Sequence, residues 1–167
     1  MALKNNQQPS KVGISITEAA ANTFTSQKIE LPNVKGLNAF DLDKIEFRWS
    51  APAPAAPDDY GSTHFQIQKS TGSSPTGMLG YDDDKVLYDV TIDTASGTEA
   101  ADLKMIFYKE FGSEHVGYAE YIANDEVYLC VQGTANGAPA SGQGKLIGSI
   151  EKLSQSELTT LLLNTLG

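Results

Sequence analysis

The amino-acid sequence predicts an all-β fold: a jelly-roll β-sandwich of about eight to nine strands with a short C-terminal α-helix. Short runs in which apolar and polar residues alternate recur along the chain, separated by loops rich in Gly, Pro and Ser. No helical segment of about ten residues or more interrupts these runs, which argues against alternating βαβ units. Several loops are long, and long loops suit Greek-key crossings between two sheets.

The clearest predicted strand is Lys44–Ser50, because its side chains alternate without a break. Ile45, Phe47 and Trp49 are expected on one face, and the charged residues between them on the other. His64–Lys69 alternates in the same way, which is typical of a half-buried strand. The pattern does not indicate which strands pair. In chain order, the predicted strands are residues 11–16, 24–31, 44–50, 64–69, 86–92, 103–108, 116–122, 126–132 and 145–151.

The chain divides into three predicted segments. Residues 1–10 are polar and lack apolar periodicity, so we expect a flexible N-terminal arm. Residues 11–152 form the predicted jelly-roll sandwich, and residues 153–167 form an amphipathic helix. Within the sandwich, Ala51–Pro57 contains three prolines in seven residues, which predicts an exposed loop rather than a strand.

The C-terminal helix is the best specified element of the sequence. Ser154 followed by Glu157 is a capping box, in which two side chains bind backbone N–H groups that the helix leaves unpaired. The helix either covers one open end of its own barrel or crosses to a neighbouring subunit, since about 12 residues of helix are marginal alone. The candidate packing or interface residues are Leu153, Leu158, Leu161, Leu162 and Leu166.

Charge and composition bound the possible functions. The chain has 12 basic and 21 acidic residues, a formal net charge of -9, and its cations are spread along the sequence. Such a surface disfavours direct contact with nucleic acid. The single cysteine, Cys130, excludes an intrachain disulfide and is expected to be a small buried residue. No apolar run is long enough to span a bilayer, and no signal peptide precedes the first strand, so we expect folding in a cytosol.

Few residues carry a recognisable chemistry. Neither His64 nor His115 has a second ligand at metal-binding spacing, and no nucleophile elbow, phosphate-binding loop or zinc-protease motif occurs. The consecutive Asp82, Asp83 and Asp84 suit either calcium binding or a solvated loop, and the sequence does not decide between them. We therefore expect no enzyme activity, no cofactor and no small-molecule substrate. A cupin-type enzyme is disfavoured because it needs clustered histidine ligands.

Exposed aromatic rings give an alternative function. A carbohydrate-binding or adhesive β-sandwich module would stack sugars on rings such as Tyr60, Tyr81 or Trp49. Most of the tyrosines lie in or beside predicted strands, however, where sheet packing accounts for them.

Three stretches together resemble the single jelly-roll capsid proteins of tail-less icosahedral viruses of archaea and bacteria, of the type with an internal membrane. They are the early strands VGISIT and NTFTSQKIELP, the late stretch NDEVYLCVQGTANGAPASGQGKLIGSI, and the leucine-rich ending EKLSQSELTTLLLNTL. They cover under half of the chain.

The resemblance implies a shell protein that self-assembles through its β-barrel, arm and C-terminal helix. Its partners would be copies of itself, other capsid proteins and an internal membrane, without direct contact with nucleic acid. It implies a location in the virion, assembled in the host cytoplasm. Whether the chain would be a major or a minor capsid subunit stays open.

Overall fold

The computed structural model describes residues 10–50, 52–56, 60–95, 104–110 and 120–166. Across these residues the chain forms nine strands and one helix. Every one of the nine predicted strands overlaps an observed strand. Their bounds are β1 (Ser10–Thr17), β2 (Thr25–Glu30), β3 (Asn38–Ser50), β4 (Tyr60–Lys69), β5 (Val86–Ala95), β6 (Lys104–Glu110), β7 (Glu120–Ile122), β8 (Glu126–Thr134), β9 (Ser141–Lys152) and α1 (Gln155–Leu166).

The strands form two antiparallel sheets. Sheet A has the order β1-β9-β3-β6, with the short β7 also paired to β3, and sheet B has the order β2-β8-β4-β5. When β7 is set aside, the eight remaining strands form two four-stranded sheets in the order that defines a jelly roll, and only β4 and β5 are consecutive strands of one sheet. The predicted fold class is confirmed by this strand order.

The hydrophobic core lies between the two sheets. Ile45, Phe47 and Trp49 of β3 all point into it, as the alternation of Lys44–Ser50 predicts. The ring of Phe47 packs against Trp49 and Phe65 with centroids 5.4 Å and 5.3 Å away, so β3 of sheet A and β4 of sheet B meet through aromatic side chains.

Strand β3 is longer than the sequence predicts, because it begins at Asn38 rather than at Lys44. Both Ala39 and Phe40 are fully buried, so the alternation that marks a half-buried strand is absent there. The pairing with β9 also shifts between Leu42 and Lys44, which marks a β-bulge. Because both faces are buried and a bulge interrupts the pairing, apolar and polar residues do not alternate in this part of the strand, and the sequence pattern does not predict it.

The first and last strands within the described residues are neighbours in sheet A. Strand β1 pairs antiparallel with β9, from Ser10 opposite Gly148 to Thr17 opposite Ser141. The chain therefore enters β1 at the end of the sandwich where β9 ends and α1 follows. The predicted N-terminal arm, residues 1–10, falls outside the described residues except for Ser10, which opens β1.

Candidate functional site

The C-terminal helix has the capping box that the sequence predicts. The backbone N–H of Ser154 donates to Glu157 Oε2 at 2.8 Å, and the N–H of Glu157 donates back to Ser154 Oγ at 3.3 Å. This hydrogen bonding lowers the pKa of Glu157 below its ordinary value, because the Ser154 hydroxyl and N–H stabilise the carboxylate. The start of α1 is thus fixed by local side-chain chemistry.

The candidate leucines of the helix differ in their exposure. Leu158 is buried, whereas Leu153, Leu161 and Leu162 are half-buried. Leu163, which the sequence places beside the apolar stripe, is 65% exposed. The side chain of Leu166 lies outside the described residues. The helix therefore packs one side on its own sandwich and presents another apolar residue to solvent.

The helix lies across the end of the sandwich. Leu162 lines a shallow depression together with Ser70 and Asn124, from the loops that follow β4 and β7. At the other end of α1, Glu157 lies close enough to Tyr121 of β7 to affect it electrostatically. Burial chiefly raises the pKa of Tyr121, and nearby carboxylates add to the rise. The helix thus spans from sheet A to the loops at this end.

A long loop, residues 70–85, covers the outer face of sheet B, and we call it the strap. The side chain of Gln66 donates to the Leu79 carbonyl at 2.9 Å and accepts the Leu79 N–H at 3.0 Å. Gln68 donates to the Gly77 carbonyl at 3.2 Å. Both glutamines are buried although they alternate with core residues, so the expectation of a half-buried strand over 64–69 is wrong. The strap covers the polar face, and nothing in the strand itself signals this.

The opposite end of the sandwich is closed by hydrogen bonds between loops 18–24, 52–56 and 135–140. Glu18 is only 3% exposed, and its carboxylate accepts the backbone N–H of Gly133 at 2.5 Å and that of Ala140 at 2.8 Å. Asn22 and Asn136 exchange side-chain to backbone bonds of 2.7 Å and 2.9 Å. We call this the loop end. No local pattern in the sequence marks Glu18 as a buried acceptor, because its partners are 115 and 122 residues away along the chain.

The residues with possible metal chemistry have other partners. Asp83 Oδ1 accepts the Lys85 N–H at 2.9 Å and so shapes the turn of the strap. His64 Nε2 lies 2.8 Å from Asp89 Oδ2 on the neighbouring strand. Within the described residues, no group of three or more His, Cys, Asp or Glu side chains is arranged to hold a metal ion. His115 lies outside the described residues.

The three proposed sugar-stacking rings differ in their exposure to solvent. Tyr60 is 74% exposed and Tyr81 is 83% exposed, as a stacking ring requires. Trp49 is only 2% exposed, so the expectation that it is a surface ring is wrong. It alternates with Phe47 and Ile45 on the inner face of β3 and stacks on Phe65 at 5.5 Å. Tyr60 opens β4, whereas Tyr81 lies in the strap after β4.

The outer face of sheet A gathers cations that the sequence spreads far apart. Lys11 of β1, Lys44 and Arg48 of β3 and Lys145 of β9 all alternate with core residues on their strands. They therefore project from the same face. The expectation that the basic residues are dispersed is wrong for this face, because the sheet order makes β1, β9 and β3 neighbours.

Two solved structures are similar to the chain over most of its length. One, of desmodium yellow mottle tymovirus, shares 11% sequence identity at a TM-score of 0.36, over 93% of this chain and 95% of that chain. The other, of the empty head of turnip yellow mosaic virus, shares 10% identity at a TM-score of 0.36, over 93% and 87%. No protein-family model and no curated protein matches the chain. The jelly-roll assignment therefore rests on the strand order.

No helix within the described residues is long and apolar enough to cross a bilayer.

Proposed function

We propose that this chain is a viral capsid protein, a non-enzymatic shell subunit that self-assembles through its β-barrel, N-terminal arm and C-terminal helix. Jelly rolls serve as capsid domains, as lectin domains and as cupins. The observation that carries the proposal is that β1 begins where β9 ends. Strand β1 starts, and α1 follows β9, at the same end of the sandwich, while the loop end is closed by hydrogen bonds.

The exposed leucine of α1 supports an intermolecular role for the helix. Leu158 attaches α1 to its own sandwich, whereas Leu163 is 65% exposed and adds no core contact. The proposed contact would cover Leu163 together with the half-buried leucines of the helix, because apolar residues are buried at the centre of subunit interfaces. Leu153, Leu161 and Leu162 are half-buried and would gain further burial in such a contact.

The resemblance to capsid proteins of tail-less viruses supplies the finer proposals. We place the chain in the virion, after assembly in the host cytoplasm, with copies of itself and other capsid proteins as partners. An internal membrane is a further partner, and the domain division into arm, sandwich and helix belongs to the same proposal. The net charge of -9 fits a shell that does not contact the genome directly.

The test is the size of the particle in solution, measured by light scattering and electron microscopy. We expect rings or shells from the wild type, and smaller species from Leu163→Ser with unchanged stability. Tyr60→Ser is the matched control, because it also removes an exposed apolar group but lies at the start of β4. A wild-type chain that stays monomeric at all concentrations and ionic strengths would contradict a capsid role.

The alternative is a carbohydrate-binding module, favoured by the exposure of Tyr60 and Tyr81. A glycan array, run with wild type and with Tyr81→Ala, decides this point. Binding that Tyr81→Ala abolishes would favour the module, and an empty array would remove it.

A further inference from the structure

The outer face of sheet A is built as a grid by the register of three strands. Lys145 of β9 lies opposite Gly13 of β1 on one side and opposite Glu46 of β3 on the other. In the next row, Gln143 lies between Ser15 and Arg48. The row on the opposite side places Ile147 between Lys11 and Lys44. We call these outward residues of β1, β9 and β3 the basic face.

The basic face has a charge opposite to that of the whole chain. Glu46 is the carboxylate of these three rows, and Lys44 lies 3.2 Å from it. The exposed Asp43 lies at the bulge of β3 next to Lys44. Lys11, Arg48 and Lys145 are exposed, and no ion pair within the described residues involves them. The chain as a whole has a formal net charge of -9, so this concentration of cations is a local feature. Exposed unpaired cations on one face favour an acidic partner.

The basic face has open space above Gly13, which has no side chain. A Cβ atom added to Gly13 would meet nothing within 4 Å, so this position leaves open space above the sheet. Ser15 and Gln143 next to it are small or flexible, and an open groove runs over Gly13, Ser15 and Lys145. A projecting turn can therefore reach the backbone of the sheet between the cationic side chains.

The strap carries an exposed acidic segment. Residues 81–84, which we call the strap tip, include Tyr81, which is 83% exposed, and the exposed carboxylates of Asp82 and Asp84. Asp83 stays in the turn, where its side chain accepts the Lys85 N–H at 2.9 Å. The tip therefore presents an aromatic ring, a residue type enriched at interfaces, beside acidic groups whose charge is opposite to that of the basic face.

The basic face and the strap lie on opposite outer faces of the sandwich, one on sheet A and the other on sheet B. The two patches of one molecule therefore cannot meet each other. A contact between the patches of two molecules is head to tail, and such contacts close into rings when the rotation between copies allows it. A rotation that does not close gives open filaments instead.

We propose that the basic face of one copy binds the strap tip of a second copy, with Tyr81 and the flanking carboxylates of the tip set between Arg48 and Lys145. The inference rests on the proposed function, since it names one interface of the shell. A second copy is the occupant that the charges favour, because every copy brings its own acidic tip.

The experiment compares charge-reversed variants by sedimentation velocity at low ionic strength, about 0.05 M, where surface charges are little screened. We expect Arg48→Glu with Lys145→Glu, and separately Asp82→Lys with Asp84→Lys, to weaken association by about tenfold or more. Mixing the two variants should restore it, since the reversed face then meets a reversed tip. Lys35→Glu is the control, because Lys35 is exposed outside the basic face.

A steric variant tests the same contact without changing charge. Gly13→Tyr fills the open space at the floor of the basic face and should block the tip while leaving the sheet intact, since nothing lies within 4 Å of that position. Unfolding by urea checks that the variant is as stable as wild type. Association that both Gly13→Tyr and the charge reversals leave unchanged would overturn the inference and leave the capsid role standing.

The remaining outcomes separate the two proposals. Salt-sensitive open filaments without rings or shells would support the head-to-tail contact and contradict the capsid role. A single-stranded RNA oligonucleotide, titrated into wild type and Arg48→Glu, tests whether a polyanion is the occupant instead. RNA binding that Arg48→Glu abolishes, together with unchanged self-association of that variant, would overturn the inference in favour of nucleic acid.

Discussion

The ring of Phe47 lies against the backbone of Gly144, in the space where a side chain on Gly144 would stand. A Cβ atom at position 144 would come within 2.9 Å of the Phe47 ring and would also collide with the Glu46 carbonyl. The absence of a side chain on β9 thus lets an aromatic residue of β3 settle into the core directly over the neighbouring strand.

Gly144→Ala should destabilise the protein by about 1–3 kcal/mol, because the added methyl group displaces Phe47 from its packing against Trp49 and Phe65. The measurement is the free energy of unfolding in urea. Gly13→Ala is the matched control on the neighbouring strand, where a Cβ meets nothing within 4 Å. That variant should be neutral or gain about 0.5–1 kcal/mol, since glycine weakens a strand interior. Equal effects of the two substitutions would contradict the assigned packing.

Glu18→Gln should destabilise the loop end by about 1–3 kcal/mol, because an amide presents only one acceptor oxygen to two buried N–H groups. The N–H groups of Gly133 and Ala140 each bind a separate carboxylate oxygen in the wild type. Glu30→Gln is a control in an exposed carboxylate, with an expected change below about 0.5 kcal/mol. The measurement is the free energy of unfolding of both variants in a chemical denaturant. A Glu18→Gln variant as stable as wild type would show that these two hydrogen bonds do not stabilise the loop end.

Glu126 should make the stability depend on acid pH. A hydrogen bond from Ser70 at 2.7 Å chiefly lowers the pKa of Glu126 below its ordinary value of 4.5, and contacts with Lys28 and Tyr128 lower it further. Because the folded-state pKa is depressed, this stabilisation is fully present above about pH 4.5 and is lost as the pH falls through the folded-state pKa.

The check on Glu126 is a comparison of Glu126→Gln with wild type across pH. Wild type should be the more stable protein at neutral pH, and the difference should vanish in acid once Glu126 is protonated. Thermal melts of both proteins between neutral and acid pH measure this. A stability difference that stays constant into acid would show that the charge of Glu126 is not its source.

Cys130 should be unreactive in the folded protein. Its side chain is fully buried, and burial raises the pKa of the thiol to about 12, so almost no thiolate exists near neutral pH. It lies opposite Gln66, whose amide holds the strap. A thiol reagent should therefore react only after opening of the strap or unfolding, and Gln66→Ala should speed the reaction. Prompt labelling of native wild type would contradict the burial.

Much of the fold follows from local pattern, as β3 illustrates. Its stretch from Lys44 to Ser50 has one buried and one exposed face, so alternation identifies the strand and its core side. The capping box of Ser154 and Glu157 is likewise local and was predictable. The features that alternation does not predict depend on tertiary contacts. Gln66 looks like a surface residue until the strap covers it, and Glu18 finds its partners more than a hundred residues later.

The basic face could be predicted only in part. Alternation shows which residues of each strand point outward, but the strand order is also needed to bring them to one surface. Ile14, Ile45 and Leu146 each fix which neighbours point outward on their own strands. Only the jelly-roll order, which sets β1 beside β9 and β9 beside β3, brings Lys11, Lys145 and Arg48 to one surface. The sequence alone does not supply that order.

The pairing of β1 with β9 also governs when the molecule becomes able to associate. Strand β1 has its partner in β9, so these two strands of sheet A cannot pair until β9 has left the ribosome. The basic face contains residues from β1, from β9 and from β3, which pairs with the other side of β9. A growing chain therefore lacks this complete surface until β9 has been synthesised, which keeps incomplete chains from associating through it.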